Sequence, residues 1–326
     1  MLRFGSRILV LTLLFGAAAA QEEPSFSSQS NLVPVPALVR DAAGNAIYGL
    51  QAQDFVIQDD GIEQTVHLDE PAESEPISLV IAVQCGRRAQ REFARMAGLA
   101  AMLDPILSGH RNEAALLFFD SKLNLVHDFT NQANVIETDL KNLQPGDNGA
   151  AILDAVSYSA KMLAKQPEGR LRVLLLISET RDHGSHFAEI DDAVRLVGLT
   201  HTLVYALPFS PYISQQLDTA KGSNRDEWSP GMDIIEKITA ARQAMRKNSA
   251  KALASMTGGE YELSATRKGF ESDMLSFANH LHSRYLLSFE PKNPHPGLHS
   301  IQVRLRHPSS GQTVRFRSTY WVAGPS

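Results

Sequence analysis

Four short, nearly unbroken apolar runs constrain this chain more than any other feature. They are Ile77 to Val83, Glu113 to Phe119, Arg172 to Ser178 and Thr202 to Leu207. Each has the length of a strand, and none alternates apolar with polar residues. A strand with one wet face alternates, whereas a strand buried on both faces does not. Helical segments separate the runs. Arg87 to Leu107 places Phe93, Met96, Leu99, Ala100 and Leu103 at helical spacing. Val135 to Leu143, Ala150 to Ala164 and Ile190 to Leu199 follow. Strand and helix in alternation predict an α/β fold, with a mainly parallel sheet covered by helices on both faces. Further on, Ile234 to Met256 reads as one long helix stopped by Thr257-Gly258-Gly259, and Phe270 to His282 as another. Residues 209–233 are polar and turn-rich and read as a loop insertion at the sheet edge.

Both ends of the chain have a different texture. Leu32 to Val39 is extended, because Pro34 and Pro36 exclude helix. Asp54 to Gln58 is a strand, Asp59-Asp60-Gly61 a hairpin turn, and Gln64 to Leu68 its return. Near the other end, Tyr285 to Phe289, Ser300 to Arg306 and Thr313 to Arg317 are strands, the last two alternating with period 2. A small β-sandwich-like unit built from both ends is therefore expected. Arg304, Arg306, Arg315 and Arg317 then read as one solvent-facing basic stripe, protecting an edge or meeting an anionic surface.

The first residues are not part of the expected fold. Arg3 and Arg7, the apolar Ile8 to Phe15, the small Gly16 to Ala20 and the polar Gln21 onward have the layout of a secretory signal peptide. The expected organisation is a signal at 1–20, a mobile linker at 21–30, an N-terminal β segment at 31–72, an α/β domain at 73–283 with its insertion at 209–233, and a C-terminal β segment at 284–326 packing with 31–72. Removing Arg3 and Arg7 takes the net charge from -5 to -7. An acidic chain lacks the basic footprint of a nucleic-acid binder. One Cys cannot make a disulfide framework or a Cys-based zinc site. There is no nucleophile elbow, phosphate loop or His-Glu-x-x-His helix.

Three blocks of sequence carry a resemblance. The first runs from Val39-Arg40-Asp41-Ala42-Ala43-Gly44-Asn45 through Gly49-Leu50-Gln51-Ala52-Gln53-Asp54-Phe55 to Asp59-Asp60-Gly61-Ile62-Glu63-Gln64. The second is the four-strand core with Asp128-Phe129-Thr130. The third is Arg284-Tyr285-Leu286-Leu287-Ser288-Phe289 and the closing strands to Tyr320. Together they resemble the VWFA-related proteins first noted in Acidobacteria, whose α/β part is a von Willebrand factor type A domain of Rossmann-like architecture. The resemblance implies a divalent cation at the C-terminal ends of the strands, held by oxygen ligands from an Asp-x-Ser-x-Ser loop, a Thr and an Asp. This chain departs from that pattern. Val83 stands at the Asp position, Cys85 and Arg87 at the Ser positions, Ala150 at the Thr and Glu179 at the Asp. The metal-ion-dependent adhesion site is therefore read as degenerate, with no metal and no cofactor.

The candidate binding rim comprises Gln84, Cys85, Gly86, Arg87, Gly149, Ala150, Glu179 and Arg181. Arg87 is open to two readings, a salt bridge to Glu179 or direct recognition of an acidic group on a partner. Cys85 is a small buried hydrophobe or a thiol activated by Arg87. Asp182-His183-Gly184-Ser185-His186 with Glu189 is a polar loop, or a zinc site if helical. Asp120 and Asp128 read as turn formers. His280, His282, His295, His299 and His307 show no ligand spacing and read as surface residues. The resulting expectation is an exported, non-enzymatic protein-interaction module, periplasmic or extracellular, with an unidentified protein partner. A metal-dependent adhesion domain and an enzyme using Cys85 are the alternatives.

Overall fold

The structure is a computed structural model that describes residues 32–69, 75–87, 89, 99–107, 111–209, 234–263 and 266–324. The expected signal peptide, the 21–30 linker, Phe93, Met96 and all of the 209–233 insertion except Phe209 lie outside the described residues. Leu32–Ser326 is assigned to one compact unit. No helix among the described residues is long and apolar enough to cross a membrane.

A five-stranded sheet forms the α/β part. Its strands are β5 (Ile77–Gln84), β6 (Glu113–Phe119), β7 (Leu123–Thr130), β8 (Leu171–Ile177) and β9 (Leu203–Ala206), in the order β7-β6-β5-β8-β9. β5, β6, β8 and β9 are parallel, and β7 is an antiparallel edge strand with no fully buried residue. Side chains of a strand point alternately to opposite faces, and both faces here are dry. Val80 and Ala82 of β5, with Leu117, Leu174 and Leu176, enter one apolar cluster with α3 (Ile152–Ala164), α4 (Ile190–Leu199), α5 (Ile234–Lys247) and α6 (Ser249–Thr257). Leu79, Ile81 and Val83, with Leu116, Val173 and Leu175, enter a second cluster with α1 (Leu99–Leu107) and α7 (Arg267–His282). α2 (Ala133–Lys141) adds Ile136 to that second cluster. Burial on two faces is why the sequence shows continuous apolar runs there.

Ile234 to Met256 is not one helix. Asn248 is extended (φ -158°, ψ 95°), and its side chain accepts the Lys251 N–H, so α6 starts afresh after α5. Gly258 (φ 81°) then closes α6 in the left-handed conformation.

Two four-stranded antiparallel sheets complete the described fold. One has the order β12-β1-β10-β4, from β1 (Val33–Arg40), β4 (His67–Leu68), β10 (Tyr285–Phe289) and β12 (Thr313–Phe316). The other has the order β13-β11-β2-β3, from β2 (Phe55–Asp59), β3 (Ile62–Glu63), β11 (Gly297–Leu305) and β13 (Thr319–Val322). Each sheet combines strands from early and late in the chain, interleaved in the first and joined through the β11–β2 pair in the second. Val35, Leu287 and Phe289 of one share a core with Ile57, Ile301 and Tyr320 of the other. Pro34 and Pro36 lie in the half of β1 that pairs with β10 only, since β12 joins from Ala37 onward. A missing N–H is tolerated where one side of a strand is unpaired. Asp60 (φ 49°) and Gly61 (φ 83°) form the expected hairpin turn with two positive φ angles.

The expected basic stripe does not form. β11 and β12 belong to different sheets, so alternation within each strand does not align their arginines. Arg304 and Arg306 are exposed, Arg315 is half-buried against Glu260 and Glu262, and Arg317 is fully buried against His201.

Candidate functional site

β5 lies at the point where the strand order reverses, with β6 on one side and β8 on the other. Loops leaving neighbouring parallel strands diverge there, and open α/β sheets bind ligands in that crevice. The chain ends β5 with Gln84, which is buried, and its side chain links the loops leaving β5 and β8 and the turn before α3. Its Nε2 donates to Gly149 O (3.2 Å), and its Oε1 accepts the Glu179 N–H (2.7 Å). Val83, the residue at the expected Asp position, points the other way into the apolar core. Gln84 is therefore the side chain that occupies the centre of the rim.

The remaining rim residues are packed together by the backbone. Cys85 N donates to Phe119 O, Gly146 N to Cys85 O and Arg87 N to Asp147 O, each at 2.7 Å. A Cβ on Gly86 would come within 2.9 Å of Asp147 O and 3.0 Å of Gly149 O, so the close approach requires glycine. Asp120 acts as the expected turn former, accepting Lys122 N (2.8 Å), and also accepts Asp147 N (2.9 Å). Asp147 in turn accepts Ser121 N and Gly149 N. Ala150 is fully buried, and its carbonyl accepts His183 N (3.1 Å). The Ala150 side chain thus lies beneath the rim surface.

The charged rim residues are placed apart. Glu179 is bound to His183 Nε2 (2.9 Å), not to Arg87, so the expected Glu179–Arg87 salt bridge is replaced by a carboxylate–imidazole contact. Arg181 is exposed and its Nε donates to Lys247 O (3.0 Å) at the end of α5. Arg87 is exposed, and its side chain has no ion-pair partner among the described residues. Cys85 is half-buried and its Sγ donates to Phe119 O (3.4 Å). Burial, reinforced by the negative charge of Asp120, pushes this thiol up to about 11.

The segment from Asp182 to Glu189 is a loop before α4. Asp182 accepts Leu153 N and the Ser185 hydroxyl (3.0 and 2.6 Å). The buried Asp154 of α3 accepts the N–H groups of His186, Phe187 and Ala188. These carboxylates tie the loop to α3, and the zinc reading of this segment is set aside because its side chains form no converging metal-capable group among the described residues.

A second polar cluster lies at the β2–β3 turn and was not legible as a site in the sequence. His299 of β11 is buried, contrary to its reading as a surface residue. Its Nδ1 lies 3.2 Å from Asp59 Oδ1 and 3.1 Å from Asp60 Oδ2, and its Nε2 donates to His295 O (2.7 Å). Burial disfavours the imidazolium, but Asp59, Asp60 and the His295 carbonyl outweigh it and raise the His299 pKa to about 9. His280 is likewise tucked against the buried Glu260 (2.8 Å). The signal that could have found the first cluster is Asp59-Asp60 at a turn with positive φ, facing two histidines four residues apart.

No protein-family model matches the chain, and no curated protein matches it. The chain is similar to several solved structures. For the vWF domain of the type V pili tip protein Mfa5 from Porphyromonas gingivalis, identity is 14%, the match covers 33% of this chain and 39% of that one, and the TM-score is 0.30. For an aerotolerance-related membrane protein from Bacteroides fragilis, identity is 14%, coverage is 62% of this chain and 98% of that one, and the TM-score is 0.41. For proximal thread matrix protein 1 from the mussel byssus, identity is 9%, coverage is 74% and 50%, and the TM-score is 0.44.

Proposed function

We propose that the chain is an exported, non-enzymatic protein-interaction module of the von Willebrand factor type A kind, belonging to the VWFA-related proteins first noted in Acidobacteria, and that its sheet rim works without a metal. The Gln84 carboxamide carries this reading. It stands between the loops where type A domains hold a cation, and it fills that place with hydrogen bonds to Gly149 O and Glu179 N. Its Nε2 donor faces the Gly149 carbonyl and the Glu179 carboxylate, and its Oε1 is taken up by the Glu179 N–H. A hard cation needs oxygen ligands there, and an N–H dipole repels it.

The pairing of early with late strands in both sheets supports the sandwich-like unit of the 31–72 and 284–326 segments. The signal-like layout of residues 1–20 supports export to the periplasm or beyond the cell. In type A domains an acidic group on the partner commonly completes the metal shell. With the metal gone, the exposed Arg87 guanidinium takes that carboxylate directly, by charge-assisted hydrogen bonds. Gln84, Cys85, Gly86, Gly149, Ala150 and Glu179 shape the floor on which Arg87 stands, and Arg181 borders it.

Affinity capture from an envelope extract tests the reading, with wild type and Arg87→Glu as paired baits. A partner recovered by wild type and lost by Arg87→Glu is the expected result; equal recovery removes the rim from the account. Calorimetric titration with Mg²⁺ and Ca²⁺ tests the metal-free rim. Binding heat that vanishes in Glu179→Ala would restore the metal-dependent alternative.

A further inference from the structure

We propose that Asp60, His295 and His299 form a binding site for one divalent transition-metal ion of the zinc class, separate from the sheet rim. These three side chains are the one group of metal-capable residues whose ligand atoms converge among the described residues, all within 4.8 Å of one another. His295 Nε2 lies 3.3 Å and His299 Nδ1 lies 3.1 Å from Asp60 Oδ2. A tetrahedral ion with bonds of about 2.0–2.1 Å sets its ligand atoms roughly 3.3–3.4 Å apart. Two imidazole nitrogens and a carboxylate oxygen suit zinc and its neighbours better than Mg²⁺ or Ca²⁺, which take oxygen shells.

The groups behind the ligands aim Asp60 and His299, while the half-exposed His295 ring, stacked on His299 (centroids 4.0 Å, interplanar 23°), turns for its Nε2 to meet a shared ion. Asp60 Oδ1 accepts Ser300 N (2.9 Å), Ser300 Oγ (2.7 Å) and Lys237 Nζ. With that oxygen saturated, Oδ2 is turned toward the imidazoles. Oδ2 is buried and faces the two imidazoles, 3.1 Å from His299 Nδ1 and 3.3 Å from His295 Nε2. His299 Nε2 must donate to His295 O, because a carbonyl only accepts, and this leaves Nδ1 as the ring atom facing Asp60. A ligand histidine with its other N–H fixed on a backbone carbonyl is the arrangement that orients an imidazole for a metal.

The surroundings also allow entry and balance. The His295 side chain is 42% exposed, Asp60 19% and the His299 side chain 1%, so the cluster opens to solvent mainly on the His295 side. Three protein ligands leave a coordination position for water on that side. Asp59, 3.2 Å from His299 Nδ1, and Asp60 supply two negative charges, against the one positive charge of Lys237. An ion entering here displaces to solvent the proton that Asp59 and Asp60 hold on Nδ1.

Purified protein stripped with chelator and titrated with Zn²⁺, and in parallel with Co²⁺ followed by visible absorption, tests the site. One equivalent of each is expected to bind, with Co²⁺ giving the absorption of a low-coordinate nitrogen–oxygen site. His295→Ala alters a partly exposed residue, and its metal-free thermal midpoint should equal that of wild type. It is expected to weaken Zn²⁺ binding about tenfold or more. Asp60→Asn keeps a residue suited to the left-handed turn and should weaken binding at least as much. His307→Ala, outside the cluster, should bind as wild type does. Absence of saturable Zn²⁺ binding by wild type, or equal affinity in His295→Ala, overturns the proposal and leaves the cluster an ion-pair knot.

Discussion

The Cys85 thiol donates a hydrogen bond to Phe119 O, and burial with the Asp120 charge pushes its pKa to about 11. The thiolate is the reactive form, so native Cys85 should react with iodoacetamide far more slowly than the same residue after denaturation. Alkylation at the rate of an unhindered thiol would revive the enzyme alternative. His201 behaves in the opposite sense. It is held at positive φ (53°), and its Nδ1 is 2.9 Å from Arg317 Nη1. Burial, then the charges of Arg317 and Arg172, lower its pKa from 6.5 to about 3. The unfolded chain therefore binds a proton that the folded chain refuses between those values. Stability from this residue is whole above pH 6.5 and drains as pH falls toward 3, by at most about 1.4 kcal/mol per pH unit. His201→Asn keeps an acceptor near the Nδ1 position and suits the left-handed backbone, but cannot charge. Its stability should fall less steeply than wild type over that window in denaturant titrations at stepped pH; parallel curves would refute the assignment. At this scale the sequence was least legible. Gly86 and the Asp60-Gly61 turn follow from local chemistry, whereas the burial of Arg317 and His299 depends on which distant strand lies opposite.

Elements were read best where one physical pressure acts alone. The buried strands show as apolar runs because both faces are dry, and the terminal strands show period 2 where one face is wet. The reading failed where a short-range signal sat inside a longer pattern. Apolar spacing runs through Asn248 and suggests one helix, yet Asn248 caps α6 by accepting Lys251 N at 2.9 Å. A side chain that satisfies an orphan N–H at a helix start is worth roughly 1 kcal/mol. Asn248→Ala should therefore cost about 1 kcal/mol in chemical denaturation, and Asn248→Asp should cost less. Equal costs, or none, would mean that the break is imposed by packing alone. The arginine stripe failed for a related reason: period 2 places residues on a face of one strand, and only the sheet order shows whether two strands share a face.

Across the whole fold, Glu260 ties the terminal strands to the α/β part. It follows α6, with its own backbone bonded to β9 through Ala206 N. Its carboxylate meets Arg40 of β1 (3.4 Å), Arg315 of β12 (3.7 Å) and His280 of α7 (2.8 Å). Its side chain is only 3% exposed. Burial works against ionisation, but the His280 hydrogen bond and the charges of Arg284, His280 and Arg315 outweigh it and hold the carboxyl below its usual range. Sequence reading paired the two chain ends through their strands, but a joint made by one acid with two guanidinium groups and an imidazole from three elements has no local signature. Removing the acid leaves partly buried guanidinium groups uncompensated, which typically costs about 3–5 kcal/mol. Glu260→Ala should show a loss of that order in urea unfolding. Arg315→Ala in the same background should then restore part of it, because it removes one of the stranded charges. A double-mutant cycle measures the coupling directly. Simple additivity of the two losses would show that the terminal strands and the α/β part are joined by apolar packing and not by this charge.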